Sequence, residues 1–116
     1  MSNAVVVDAG TGNLHSVLNA LVSQGWAVSV TRSAAEVRQA QRLILPGVGA
    51  FQPFMAGLAA SGLAEAIIEQ ARRGVPLLGI CVGMQALLEG SAEMGFSAGL
   101  GLVQGKVTRL VGEGIK

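Results

Sequence analysis

Four short β-prone runs alternate with stretches of helical periodicity, and this alternation limits the chain to few architectures. The runs are Ala4 to Val7, Ala27 to Thr31, Leu43 to Leu45 and Pro76 to Ile80. All but the second are unbroken apolar sequence, the pattern of strands covered on both faces. Leu14, Val17, Leu18, Leu21 and Val22 recur at helical spacing and form one stripe, which Gly25 stops. Ser33, with Glu36 three residues on, is a capping-box signature for a short helix reaching about Gln41. Two more helices are predicted, from about Gln52 to Ala60 and Leu63 to Arg73, each closed by glycine. Strands and helices in this order imply parallel βαβ units. The expected fold is therefore α/β, a doubly wound, mostly parallel sheet with helices on both faces and ligands at the carboxyl ends of the strands. Asp8, Pro46 and Cys81 sit at such ends. After Ile80 the pattern predicts a helix from Met84 to Glu89, a loop from Gly90 to Gly99, and a hairpin of 100–103 with 106–111 around Gln104-Gly105.

Composition excludes several classes of function. A chain of 116 residues, 51% hydrophobic, reads as one domain with a real core. Only 13% of residues are charged and the net charge is +1, so neither a nucleic-acid groove nor an anionic membrane surface is expected. Small neutral substrates or protein partners fit better. No apolar run approaches the ~20 residues of a membrane helix, and Met1-Ser2-Asn3 lacks the basic start of a secretory signal. A single cysteine forms no internal disulfide and suits the reducing cytoplasm. No metal or cofactor is expected.

Gly79-Ile80-Cys81-Val82-Gly83 is a nucleophile-elbow pattern with cysteine as its central residue, between a buried strand and a predicted helix. Glycines two residues to either side permit a tight strand-to-helix turn, and the free N–H groups of the helix favour an anionic, nucleophilic sulfur. The competing reading is an inert buried thiol in a glycine-rich turn. Pro46-Gly47-Val48-Gly49 also admits two readings, a plain turn or an oxyanion hole built from backbone amides. Taken together, the two motifs place the amides of Val48 and Val82 beside the Cys81 sulfur. Gly10-Thr11-Gly12-Asn13 lacks the third glycine and the acidic partner of a dinucleotide fingerprint. His15, the only histidine, falls off the apolar stripe and reads as solvated. No histidine follows Cys81 to manage the protons of a thiol nucleophile.

In this order the motifs resemble the Triad, or class I, glutamine amidotransferases, and among them the glutaminase subunit of imidazole glycerol phosphate synthase. The resemblance runs from Val5 to about Lys116. Asp8 to Val17 is similar to the family's opening aspartate, glycine turn and Gly-Asn-Leu segment. Leu45 to Phe51 resembles its oxyanion strand, Gly79 to Gln85 its nucleophile elbow, and Gly99 to Val107 the segment that follows. Ala9 and Thr11 depart from the aromatic and apolar residues usual in the family.

The resemblance implies a fold like flavodoxin and the class I amidotransferases. It implies that Cys81 attacks the glutamine side-chain amide, forms a γ-glutamyl thioester and releases ammonia for a cyclase subunit. Val48 and Val82 would be the oxyanion donors, Gly47, Gly49 and Gln85 would hold the glutamine, and Gly10, Gly12 and Asn13 would face the partner. The family's triad His and Glu lie in a further stretch to which nothing here corresponds. Residues 1–116 are thus expected to be a partial domain, inactive alone, with an open sheet edge and a tendency to self-associate. The rival expectations are a non-catalytic binding remnant of that domain and another elbow-cysteine fold, such as a PfpI-like hydrolase.

Overall fold

The computed structural model describes residues 3–10, 14–93 and 95–112. In chain order the elements are β1 (Asn3–Val7), α1 (His15–Ser23), β2 (Ala27–Thr31), α2 (Ala34–Val37), β3 (Leu43–Gly47), α3 (Phe51–Ala60) and α4 (Leu63–Arg72). They continue with β4 (Leu77–Cys81), α5 (Val82–Ala86), β5 (Leu88–Ser91), β6 (Ser97–Ala98) and β7 (Val103–Val107). The first four strands form one parallel sheet in the order β2-β1-β3-β4. From β1 the chain winds outward to β2, then returns past β1 to β3 and β4, so the topological switch point lies between β1 and β3. The doubly wound expectation holds, and among the described residues β4 pairs only with β3 and so ends the sheet on one side.

Strand alternation divides the core between two faces. On one, Ala4, Val6 and Ile44 meet Leu14 and the α1 residues Val17, Leu18 and Leu21. On the other, Val7, Leu43 and Leu45 pack with Val37, Phe54, Leu58, Ile67 and Val82 of the remaining helices. All five residues of β3 are buried. Phe54 is fully buried, and a Cβ added at Gly47 would lie 2.5 Å from its ring, so ring and strand pack in direct contact. Val22 departs from the expected stripe, being 61% exposed. At ~100° per residue it falls about 80° from the stripe's centre, at the rim of the face the sheet covers.

Half of the predicted capping box forms: Ser33 Oγ accepts from the Glu36 N–H at 3.3 Å, but the Ser33 N–H donates to Thr31 Oγ1 at 2.9 Å rather than to Glu36, and Thr31 Oγ1 in turn donates to the Glu36 carboxylate at 2.8 Å. The helix is shorter than expected. Gln39 and Ala40 bond back to the carbonyls of Glu36 and Val37, three residues earlier, which tightens the turn and delivers the chain to β3.

Two expectations past Cys81 are overturned. The predicted helix to Glu89 stops at Ala86, because Leu88–Ser91 is drawn into a small sheet of order β6-β5-β7. The hairpin around Gln104-Gly105 is not formed. Val103–Val107 is one continuous strand, parallel to β5, and the Gly105 N–H is taken by the Glu89 carboxylate at 2.9 Å. The N–H groups of Leu100, Leu102 and Val103 instead bond the carbonyls of Ala86, Leu87 and Leu87 at 2.8–2.9 Å, satisfying the end of α5. Tertiary pairing outweighs the local pattern here.

No single helix among the described residues is long and apolar enough to cross a membrane; α3 and α4 are bent 87° from each other, and both contribute to the buried core. Phe54→Ala is expected to cost about 3–5 kcal/mol of stability, and Val22→Ala less than about 0.5 kcal/mol, both read from urea unfolding midpoints. A loss at Val22 equal to that at Leu18 would mean that α1 sits rotated on the sheet.

Candidate active site

β4 ends at Cys81 and α5 begins at the next residue, with no intervening loop. Cys81 holds φ 56 and ψ −123, the only positive φ on a non-glycine residue among those described. Such a conformation costs ~1–3 kcal/mol and persists only where its surroundings enforce it. The enforcement comes from the two flanking glycines. A Cβ at Gly79 would stand 2.6 Å from the Met84 Cα and 2.8 Å from the Gly83 carbonyl oxygen, and one at Gly83 would overlap the Leu45 carbonyl of β3. The helix is thereby pressed on the sheet, and the Cys81 thiol is left exposed. Of the two readings of this cysteine, burial is excluded. At five residues α5 is shorter than expected, so it offers the free N–H groups of a first turn but little macrodipole.

The β3–β4 register sets Gly47 directly beside Cys81, which places the Gly47-Val48-Gly49 turn next to the elbow. Gly49 has φ 92, a backbone state suited to glycine. Val48 is half exposed, and Val82 is buried as the first residue of α5. A cavity of about 500 Å³ opens here, lined by Gly49, Val82 and Gln85 on one side and by Ser91, Glu93 and Ser97 on the other. Cys81 is not itself a lining residue; it precedes Val82 at the rim. Glu93 is the one charged lining residue, and it is tied to Ser91, whose Oγ donates to its carboxylate at 3.3 Å and accepts from its N–H at 3.4 Å. The sequence predicts a loop over 90–99 and does not reveal Ser91, Glu93 and Ser97 as lining residues, which the pairing of Leu88–Ser91 brings to the cavity. The available signal was a Ser-x-Glu pair shortly after an elbow.

Beyond β1, Asp8 anchors the turn. Its carboxylate accepts from the Gly10 N–H at 2.8 Å and from Arg32 Nε at 2.9 Å. Burial disfavours its charge, but the Gly10 amide and the Arg32 guanidinium outweigh this and hold the Asp8 pKa below the ordinary carboxylate value. Gly10 is in the left-handed region at φ 82, whereas Gly12 and Asn13, expected to face a partner, lie outside the described residues. His15 is the first residue of α1. No group of three His, Cys, Asp or Glu residues that could hold a metal occurs among the described residues.

The family model for class I glutamine amidotransferases matches residues 5–114. The chain is 49% identical over 116 residues to imidazole glycerol phosphate synthase subunit HisH of Wolinella succinogenes, covering 96% of this chain and 56% of that protein. It is 51% identical over 110 residues to the subunit of the same name from Moorella thermoacetica, covering 95% and 52%. A solved glutamine amidotransferase superposes with a TM-score of 0.77 at 23% identity, over 90% of this chain and 56% of that one, which is a likeness of fold. The chain spans about half the length of the curated relatives it matches.

Two outcomes follow from the geometry. Gly83→Ala forces the elbow off β3 and should cost more than ~2 kcal/mol, since no flexible side chain is available to yield; an unchanged urea midpoint would contradict the close approach. Because the Asp8 pKa is lowered on folding, its contribution is present above the unfolded carboxylate pKa and is lost as the pH falls through the folded value. Asp8→Asn should therefore lower stability at pH 7 by up to ~1 kcal/mol and leave wild type and variant equal in strong acid, as followed by thermal melts across pH.

Proposed function

The chain belongs to the class I glutamine amidotransferase family, and on that footing we propose that it carries the nucleophile of the glutaminase in imidazole glycerol phosphate synthase. Its substrate is then glutamine, and the ammonia it releases serves a cyclase subunit of that synthase in histidine biosynthesis. The observation that carries the reading is the strained, exposed Cys81, held in register with Gly47 beside a cavity whose one charge is the Glu93 carboxylate.

In this reading the Cys81 sulfur attacks the side-chain carbonyl carbon of glutamine. The carbonyl oxygen becomes an oxyanion, received by the N–H groups of Val48 and Val82; a donor of this kind contributes about 3 kcal/mol to the rate. The C–N bond then breaks as the amide nitrogen takes a proton, ammonia leaves, and a γ-glutamyl thioester remains. Water attacks the thioester, frees glutamate and restores the thiol. Gly47, Gly49 and Gln85 border the bound glutamine, and Glu93 complements its α-ammonium group, a role that charge alone suggests. Gly10, in the turn after β1, faces the cyclase. Proton transfer calls for an imidazole, and residues 82–116 hold no histidine. A free-thiol ammonia donor of this kind works in the reducing cytoplasm.

The test is glutamate release by the purified chain, alone and with a cyclase subunit of the synthase. The chain alone is expected to release little or no glutamate; any release seen, alone or with the cyclase, should vanish in Cys81→Ala, persist in His15→Ala, and in Glu93→Gln show a KM for glutamine raised at least tenfold with kcat little changed. Release that survives Cys81→Ala would overturn the assignment of the nucleophile. No release in any combination would leave the chain a non-catalytic member of its family.

A further inference from the structure

Among the described residues three polar side chains are buried: Thr31, Gln70 and Ser91. Two of them tie the fold together. Thr31 bonds the Glu36 carboxylate, and Gln70 Nε2 donates to the Ala40 carbonyl at 2.8 Å. Ser91, 4% exposed, lies instead in the cavity wall, and its hydroxyl bonds Glu93, the one charged residue there.

The backbone of Ser91 is held on both sides. It ends the middle strand of the small sheet, paired with Ser97 in β6 and with Val107 in β7. A Cβ at Gly90, just before it, would stand 2.5 Å from both the Phe96 ring and the Ser97 carbonyl oxygen, so β5 and β6 lie closer than a side chain allows. The Ala92 N–H donates to the Val107 carbonyl at 2.8 Å and fixes the next residue as well. From this anchor the Ser91 hydroxyl donates to Glu93 Oε1 and accepts from the Glu93 N–H, closing a short turn.

Glu93 itself is exposed. An exposed glutamate has many rotamers, and a ligand that meets it must offset the cost of ordering them unless the protein has done so already. A cation could order the carboxylate, but it would also neutralise it. Arg109 shares an adjoining hollow with Glu93, yet no ion pair joins the two among the described residues. A hydroxyl holds the carboxylate and leaves its charge in place. Only Oε1 is engaged by Ser91; among the described residues Oε2 takes no hydrogen bond and is left to a cationic group in the cavity.

We infer that Ser91 is a positioning residue, whose hydroxyl holds the Glu93 carboxylate where it meets the α-ammonium group of the substrate and so sets the preference for an amide that carries one. The inference rests on the glutaminase reading and adds to it a residue that touches no reacting atom.

The test is calorimetric titration of the purified chain with L-glutamine and with glutaramate, which is glutamine without its α-amino group. Wild type is expected to bind glutamine the more tightly. Ser91→Ala should weaken glutamine about fivefold, the worth of one hydrogen bond to a charged group, and leave glutaramate unchanged. Ser91→Thr, which keeps the hydroxyl, should restore glutamine binding. In a Glu93→Gln background Ser91→Ala should add no further loss, because the two residues act as one. Circular dichroism checks folding, and Ser91→Cys, of similar volume but a weak donor, makes the same comparison if the alanine variant fails to fold.

Wild type that prefers glutamine, with Ser91→Ala binding it equally well, overturns the positioning role and leaves the glutaminase reading standing. An equal loss for both ligands, or a further loss in the Glu93→Gln background, also overturns it, since Ser91 would then support the cavity as a whole. A wild-type chain that binds neither ligand counts against the glutaminase reading and removes the inference with it.

Discussion

The contact between Gly83 and the Leu45 carbonyl is the constraint on which the rest of the site depends. It brings α5 against β3 at a distance no side chain permits, and so determines where β4 must end and which way Cys81 must face. With Gly79 crowded too, though less closely, by Met84, the strand-to-helix turn has little room to relax. Cys81 therefore adopts a conformation that an isolated cysteine would avoid. The strain is local, and the cost falls on packing around buried β3.

A second consequence concerns how the parts of the site hold their relative positions. Cys81 and Gly47 are partners in one parallel ladder, so the elbow and the Pro-Gly turn are spaced by sheet hydrogen bonds rather than by loops. Ser91 and Glu93 approach from the small sheet that follows. The cavity thus lies between a rigid wall and one built from short strands, and its single charge is on the second wall.

How far the sequence reveals this depends on the range of the interactions. The four parallel strands, the α1 stripe, the Ser33 cap and the elbow are written in residues near one another, and each is found in place. Val22 shows the limit of a stripe, because periodicity does not say how wide a face the sheet will cover. The segment after Ala86 is illegible in the sequence for a different reason. Leu88–Ser91 has no alternating pattern of its own and becomes a strand only by pairing with Val103–Val107, while Gly105 looks like a turn residue yet lies within that strand. Glu93 is not legible as a cavity-lining residue because its place there depends on this non-local pairing.

The bonds from residues 100–103 to the carbonyls that end α5 bear on the order in which the chain acquires its form. Those donors lie well downstream of the helix they complete, so a loop must close before α5 is held at both ends. That loop is short: the donors lie 14–16 residues from their acceptors, against the 24–38 residues that separate paired positions in the parallel sheet. The far end of α5 is thus tied by a comparatively local closure, while its near end at Cys81 depends on the long crossovers that bring β3 beside β4. The turn at Cys81 is fixed only where contacts of both ranges meet.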